Sequence, residues 1–181
     1  MGIRTLSTTN PAFNPYNYQT GSVWPHDNAI IALGFKYYGF GAEAARIAHD
    51  VSVAASYFRL NQLPELYTAF AREETNFPVQ YIGANVPQAW AAGSAFMLTQ
   101  ALLGFMPDAP RNKLYVDPSL PKWLPDLTIY DLRLGQHKLD IRFWREGEAT
   151  AFEVIKGNPK LVERCDLASR VARLRTASDA L

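Results

Sequence analysis

The chain has 181 residues, of which 48% are hydrophobic and 19% charged, and its net charge is +1. This length and apolar content allow one domain with its own core and a small addition. The balanced charge argues against a nucleic-acid partner, because neutralising phosphates requires a basic excess. The single cysteine, Cys165, cannot form an internal disulfide, and the start of the chain lacks the apolar core of a signal peptide. We therefore expect a soluble, cytoplasmic protein.

Charge is spread unevenly along the chain. Residues 1–106 carry 11 charged side chains, whereas the 75 residues that follow carry 24. Protein surfaces normally need charged residues to remain soluble and monomeric. The surface of the first part has few of them, so we expect further polypeptide to cover part of it. We divide the chain into a helical segment at 1–106, antiparallel β-hairpins at 107–160 and a basic tail at 161–181, which forms a helix or frays.

Three helices are predicted in the first segment. The first covers 25–38, starts with a proline that needs no N–H partner, and is apolar nearly all round, as a core helix would be. The second covers 42–59 after a glycine break. The third, roughly 88–105, has no charge and looks like a membrane span, but its two glutamines, serine and threonine favour a buried core helix. The apolar stripe of the second helix consists of Ala44, Ile47, Ala48, Val51, Ala55 and Phe58.

A long segment without periodicity, residues 61–87, follows the second helix. Such loops are usually functional or disordered. Its apolar side chains argue against disorder, so we predict a packed loop that carries the carboxylates Glu65, Glu73 and Glu74. Those apolar residues are Leu63, Leu66, Tyr67, Phe70, Phe77, Tyr81 and Ile82.

Alternation of apolar and polar residues predicts a three-stranded antiparallel meander in the second segment. Gly135 and Gly147 mark its two turns, and a break in alternation at Tyr130-Asp131 indicates a bulge. We expect this small sheet to pack by one side on the helices. The predicted strands are 127–134, 137–144 and 150–155.

The W-P-H-D segment at 24–27 brings an aromatic ring, an imidazole and a carboxylate to the start of a helix. His26 and Asp27 could begin a metal site, but zinc or iron needs three or four convergent ligands, and the other histidines are His49 and His137. We therefore predict no metal and no cofactor. The alternative is that His26 and Asp27 only cap and solvate the helix.

Glu65 differs from the other loop carboxylates because apolar residues flank it on both sides. Loss of hydration raises the proton affinity of a carboxylate, which is the property that a general base near neutral pH needs. Aromatic side chains elsewhere in the first segment are ordinarily core residues. Flat aromatic faces beside polar groups are also what a sugar ring binds, and the candidates are Trp24, Tyr67, Phe70 and Trp90.

Three segments in order resemble the C-terminal part of glycogen-debranching-type amylo-α-1,6-glucosidases. They are GSVWPHDNAIIALGFKYYGF at 21–40, LPELYTAF at 63–70 and PQAWAAGSAF at 87–96, and the likeness extends over about 13–160. These relatives are inverting glycosidases with an (α/α)6 helical toroid. The resemblance thus implies an α+β chain, in which an incomplete toroid segment precedes a small antiparallel β-sheet.

The resemblance also implies roles for individual residues. The glutamate of L-P-E-L is the catalytic base of the family, which corresponds to Glu65 here. Tyr67 stands where the family more often has phenylalanine. The W-P-H-D and P-Q-A-W segments face the sugar pocket. The residues implied to bind the sugar are Trp24, His26, Asp27, Tyr67, Gln88 and Trp90.

The family's general acid lies in an earlier toroid segment, and nothing before residue 13 supplies it. Inversion needs two carboxyl groups about 6.5–9.5 Å apart. We therefore expect the C-terminal segment of an inverting debranching-type α-glucosidase, inactive alone and completed by an upstream half-enzyme chain. The alternative is a non-catalytic remnant that binds glucan or a partner subunit. The helices of an incomplete toroid leave apolar faces exposed, which predicts self-association. We expect the interface to be centred on Ile31, Phe35, Phe96 and Leu103.

Overall fold

The computed structural model describes residues 1–71 and 74–178, which form two compact units. Unit 1 comprises Met1–Leu33 and Arg46–Thr99, and unit 2 comprises Gly34–Ala45 and Gln100–Leu181. Helices and two small sheets together make this an α+β protein, as predicted. The candidate carboxylate Glu73 lies outside the described residues.

The three helices predicted in the first segment are present. Asp27 lies in the first turn of α1, where the helix dipole favours a carboxylate, and Gly39 follows its end with a positive φ of 86°. The second helix ends four residues earlier than predicted, at Ala55, and the predicted end falls in a short irregular turn. A fourth helix forms in the basic tail. The helices are α1 (Pro25–Tyr37), α2 (Gly41–Ala55), α3 (Ala89–Leu103) and α4 (Leu167–Ser178).

The prediction that α1 and α3 are core helices is wrong for some of their large side chains, although Leu98, Leu102 and Leu103 of α3 are buried. Ile30 on α1 is 56% exposed and Phe96 on α3 is 81% exposed. The buried positions of α1 include Ala29 and Ala32, so small residues form its packed side. Hydrophobicity on every side of a helix does not show which side is covered. No helix in the described part of the chain is long and apolar enough to span a membrane.

Unit 1 is held together by backbone contacts between segments that are distant in sequence. Isolated β-bridges join Arg4 to Val23, Val23 to Tyr67, and Tyr67 to Gln80. Residues 63–69 are buried without interruption. The predicted packing of the long loop is thus confirmed for this part, whereas Ile82 later in the loop is almost fully exposed.

Unit 2 contains two three-stranded sheets. The predicted meander is confirmed as β3–β4–β5, with the bulge between Ile129 and Leu132 and positive φ at Gly135 and Gly147. The second sheet, in the order β1–β2–β6, was not predicted, and its β2 and β6 are parallel. The strands are β1 (Met106–Asp108), β2 (Lys113–Val116), β3 (Asp126–Leu134), β4 (His137–Glu146), β5 (Ala149–Lys156) and β6 (Val162–Arg164).

The core of unit 2 follows from the alternation along β4, which buries Leu139, Ile141 and Phe143 on one face. Most of their buried neighbours come from other strands and loops, with Leu103 from the end of α3. The sheet therefore packs chiefly against β and loop residues rather than on helices as predicted. The buried cluster is Leu103, Leu114, Val116, Leu120, Leu134, Leu139, Ile141, Phe143 and Leu161.

The described part of the basic tail forms β6 and α4, and the strand was not predicted. Asp166 caps α4 by accepting hydrogen bonds from the amide and hydroxyl groups of Ser169, at 3.0 and 2.8 Å. The Arg170 guanidinium lies 3.4 Å from the ring centroid of Tyr115, which fixes α4 on β2 within unit 2. The side chain of Arg175 lies outside the described part.

Candidate functional site

A tight loop at residues 14–21 begins the candidate site. The Asn14 side chain accepts a hydrogen bond from the Tyr16 amide at 3.0 Å, and the Asn17 side chain accepts one from the Gln19 amide at 3.0 Å. Asparagine favours such turns because its amide oxygen reaches the backbone two residues on. The Asn14 amide then donates to the Thr20 carbonyl at 2.8 Å, which closes the loop. The loop carries Tyr18, which the sequence interpretation missed.

Glu65 is 9% exposed and is held at both carboxylate oxygens. The Tyr18 hydroxyl donates to Oε1. The Asn85 backbone and side-chain amides lie 3.4 and 3.3 Å from Oε2. In addition, the Glu65 amide donates to the Asn85 carbonyl at 2.9 Å. These contacts at both oxygens fix the direction of the Glu65 carboxylate.

The environment of Tyr18 keeps its hydroxyl protonated. The hydrogen bond to Glu65 raises the pKa of Tyr18, and desolvation, the charge of Glu65 and the neighbouring Tyr81 act in the same direction. A phenolate here would face a carboxylate, which explains the sign. Tyr18 therefore serves Glu65 as a hydrogen-bond donor across the neutral range.

A continuous series of ring contacts runs from Tyr18 to Trp90. The ring centroids of Tyr18 and Trp24 are 4.7 Å apart, those of Trp24 and His26 are 5.6 Å apart, and those of His26 and Trp90 are 4.6 Å apart. The Trp24 indole N–H donates to Ser22 Oγ at 2.8 Å, which fixes the ring. These contacts connect the residue that holds Glu65 to the start of α1 and to α3.

An open pocket of about 340 Å³ lies in unit 1 where α1 and α3 begin. Its size is at the lower end for small-molecule sites, which span about 300–1,000 Å³. His26 Nε2 lies 3.3 Å from an oxygen of Asp27, and His26 Nδ1 is buried without a hydrogen-bond partner among the described residues. Trp90 is 69% exposed, so its ring is accessible from the pocket. The lining residues are His26, Asp27, Ala29, Ile30, Ala89, Trp90, Gly93, Ser94 and Met97.

The structure distributes the predicted site residues over several positions. His26, Asp27 and Trp90 line the pocket, Trp24 packs beside them, and Glu65 adjoins Tyr18 instead of lining the pocket. Sequence reasoning missed Tyr18 and Asn85, the hydrogen-bond donors to Glu65. The signal for them is weak, because a tyrosine in an asparagine-rich turn and an asparagine in a loop are common surface features.

Two predicted sugar-binding residues, Tyr67 and Gln88, make structural contacts. Tyr67 is fully buried, its hydroxyl donates to the Met1 carbonyl at 2.7 Å, and burial raises the pKa of Tyr67. Its ring therefore belongs to the core of unit 1. The Gln88 side chain accepts a hydrogen bond from the Ala91 amide at 3.1 Å and so caps α3.

Other candidate groups are separate from this arrangement. The described side chains include no group of three or more His, Cys, Asp or Glu residues that could hold a metal ion. Glu74 is exposed on the loop, in contrast to Glu65.

The chain matches no protein-family model. A segment of it is similar to the mannosylglycerate hydrolase of Thermus thermophilus, with 44% identity over 48 residues. The match covers 26% of this chain and 12% of the hydrolase, so the chain spans a small part of that protein's length. The similarity thus indicates glycoside hydrolases in general rather than the debranching type.

Proposed function

We propose that this chain is a segment of a glycoside hydrolase that supplies one catalytic carboxylate, Glu65, and part of a sugar pocket. The observation that carries the proposal is the geometry around Glu65. This carboxylate is nearly buried, is held at both oxygens, and adjoins a series of aromatic rings that leads to an open pocket. The partial similarity to a mannosylglycerate hydrolase supports the same class of reaction.

Glu65 acts as the general base of an inverting reaction in this proposal. It removes a proton from a water molecule, which attacks the anomeric carbon while a second carboxyl group protonates the leaving oxygen. The resemblance to debranching-type glucosidases implies a general acid in an earlier toroid segment, so we assign the acid to another segment, in a longer polypeptide or in a separate upstream half-enzyme chain.

The pocket suits a sugar because it combines a flat ring with polar groups. Trp90 offers an exposed aromatic face, and His26 and Asp27 offer hydrogen-bonding atoms at the same opening. The substrate class that we propose is an α-linked sugar. Within this class, the sequence resemblance favours an α-glucan or oligosaccharide of the debranching type, whereas the matched hydrolase is named for the small glycoside mannosylglycerate.

We also propose that α1, α2 and α3 belong to an (α/α)6 toroid. The large apolar residues exposed on α1 and α3, among them Ile30 and Phe96, support this interpretation, because neighbouring toroid helices would cover them. When those neighbouring helices are absent, we propose that the chain self-associates. Leu103 must be removed from the expected interface, since it is fully buried in the core of unit 2. Ile31 and Phe35 are half-buried, which leaves Phe96 as the main residue of that interface.

The oligomeric state is testable by sedimentation at micromolar concentration. We expect a dimer or larger species, and Phe96→Asp should shift it to a monomer because a carboxylate is costly to bury in an apolar interface. The control is Tyr130→Asp, which changes an exposed aromatic residue on β3 of unit 2. A wild-type monomer that binds no hydrophobic dye would contradict the toroid interpretation.

Hydrolysis distinguishes the two functions that remain open. We expect no release of sugar from isomaltose, limit dextrin or mannosylglycerate by the chain alone, since general acid catalysis contributes about 10²–10⁴-fold. Turnover should occur after the polypeptide encoded immediately upstream is added. Glu65→Gln should abolish it and the exposed control Glu74→Gln should not. Turnover by the chain alone would show that it contains both carboxyl groups.

A second candidate is a non-catalytic module that binds glucan or a partner subunit. The observation that favours it is that Glu65 does not line the described pocket, which is formed by His26, Asp27 and Trp90 together with helix residues. Sugar binding without turnover in the presence of the upstream polypeptide would support this candidate over the catalytic one.

A further inference from the structure

We propose that Tyr18 is a positioning residue that holds the Glu65 carboxylate in one orientation through a hydrogen bond to Oε1. The inference rests on the proposed role of Glu65 as the base. A base must present one oxygen to water in a fixed direction, because misplacement of a reacting group by about 1 Å can cost about 10²-fold in rate. Tyr18 is separated from Glu65 by 47 residues, so the fold brings the two together.

The two oxygens of Glu65 are held unequally. The Tyr18 hydroxyl donates to Oε1, whereas the two amides of Asn85 lie 3.4 and 3.3 Å from Oε2. Hydrogen bonds from N–H groups are strongest at about 2.9–3.0 Å, so both amide contacts are long. Oε1 is thus the anchored oxygen, and Oε2 is the oxygen that is more readily released to a water molecule.

Tyr18 is itself fixed before it reaches Glu65. Its carbonyl accepts hydrogen bonds from Ser22 Oγ at 2.6 Å and from the Trp24 indole at 3.2 Å. Its ring meets Trp24 edge to face and lies 5.7 Å from the ring of Tyr81. These contacts restrain the ring on two sides, so the hydroxyl is presented to Glu65 at little further entropic cost.

Alkaline titration of the tyrosines tests this bond without any need for activity. Phenolate absorbance is followed in the wild type, Tyr18→Phe, Glu65→Gln and the control Tyr16→Phe, which alters an exposed tyrosine of the same loop. Glu65→Gln should shift one ionisation to lower pH, because the neutral amide no longer disfavours the phenolate of Tyr18. Tyr81 is the other titratable group that faces Tyr18, and it is unchanged in both variants.

The outcomes separate clearly. We expect Tyr18→Phe to remove a late-ionising tyrosine, whereas Tyr16→Phe should leave that late transition in place. If the transition that Tyr18→Phe removes is an early one, the bond to Glu65 is absent and the proposal is overturned. This comparison remains valid if Glu65→Gln fails to fold, which circular dichroism would show.

Kinetics in the presence of the upstream polypeptide distinguish a positioning role from a structural one. Loss of a hydrogen bond to a charged group should lower kcat by about 10–100-fold with little change in KM, and Tyr16→Phe should leave both unchanged. An unchanged kcat in Tyr18→Phe would refute the positioning role. If no turnover occurs at all while the titration shows the bond, the proposed catalytic function fails and the Tyr18–Glu65 contact is purely structural.

Discussion

The two units bury different kinds of apolar side chain. Among the buried hydrophobic residues described, six of thirteen in unit 1 are alanine, compared with two of thirteen in unit 2. In unit 2, leucine, isoleucine and phenylalanine from neighbouring strands fill the core, with Phe143 between Phe105 and Phe152. Unit 2 therefore packs large apolar side chains into its own cluster, although others, among them Phe40 and Tyr130, remain exposed.

Unit 1 keeps several of its large apolar side chains at the surface. Trp90 and Phe96 of α3 and Ile30 of α1 are exposed, although the buried side of the same helices is well packed with small residues. Large exposed apolar patches usually mark a binding surface. The core of unit 2 and the exposed face of unit 1 thus depend on different residues. Substitutions in one should therefore leave the other intact.

The largest effect should come from removing a core side chain of unit 2. Phe143→Ala should lower the free energy of unfolding by about 3–5 kcal/mol, because a fully buried ring leaves a cavity. Phe96→Ala, the same change on the exposed face of unit 1, should stay within about 0.5 kcal/mol. Urea unfolding of both variants measures the difference. Unfolding is measured at concentrations where sedimentation shows a monomer, so equal losses would show that Phe96 is covered within the fold itself, which would contradict the comparison.

The next effect concerns the hydrogen bond of the buried Tyr67 hydroxyl in the core of unit 1. Tyr67→Phe removes the donor to the Met1 carbonyl and should cost about 0.5–1.5 kcal/mol at neutral pH through the loss of one hydrogen bond. Thermal unfolding monitored by circular dichroism measures the loss. Tyr16→Phe, on the exposed loop, should leave the melting temperature unchanged.

The same substitution should change the alkaline stability profile. Burial raises the pKa of Tyr67 above its ordinary value of 10.0, so its stabilising contribution is fully present below pH 10. Above pH 10 the unfolded chain releases this proton while the folded chain retains it, and stability falls as pH rises. Tyr67→Phe should make that decline shallower. An unchanged slope in urea unfolding above pH 10 would mean that Tyr67 ionises freely in the folded protein.

Sugar affinity tests the exposed face of unit 1 directly. We expect maltooligosaccharides to bind with Kd of about 1 mM, equivalent to about −4 kcal/mol. Trp90→Ala should weaken binding by about 1 kcal/mol, and Trp24→Ala should weaken it through the loss of support for His26. Isothermal calorimetry measures both variants, with Trp144→Ala on β4 as the control. An effect at Trp144 and none at Trp90 would place the sugar elsewhere.

The last prediction compares a glycine of each unit. A Cβ at Gly93 on α3 meets nothing within 4 Å, so Gly93→Ala should stabilise unit 1 by up to about 1 kcal/mol through helix propensity. A Cβ at Gly157 would lie 2.5 Å from the Lys138 carbonyl oxygen, and its φ is +100°. Gly157→Ala should instead destabilise unit 2 by about 1–3 kcal/mol. Melting curves that show the same sign for both would contradict the difference in packing.

Local sequence patterns determined the regular elements of this protein. Helical spacing and glycine breaks predicted α1, α2 and α3, and strict alternation with glycine turns predicted the β3–β4–β5 meander and its bulge. These features depend on neighbouring residues along the chain, which is why a single sequence reveals them.

Only the tertiary structure decided which side chains meet. Glu65 is joined to Tyr18 and Asn85 across 47 and 20 residues, and short parallel strands such as β2 and β6 pair across a similar distance. The same applies to burial: Tyr67 looked like a pocket residue and lies in the core, whereas Leu103 was expected on an exposed face and is fully buried. The apolar character of a side chain determines how much its burial stabilises the fold. The packing of segments that are distant in sequence determines which side chains are buried.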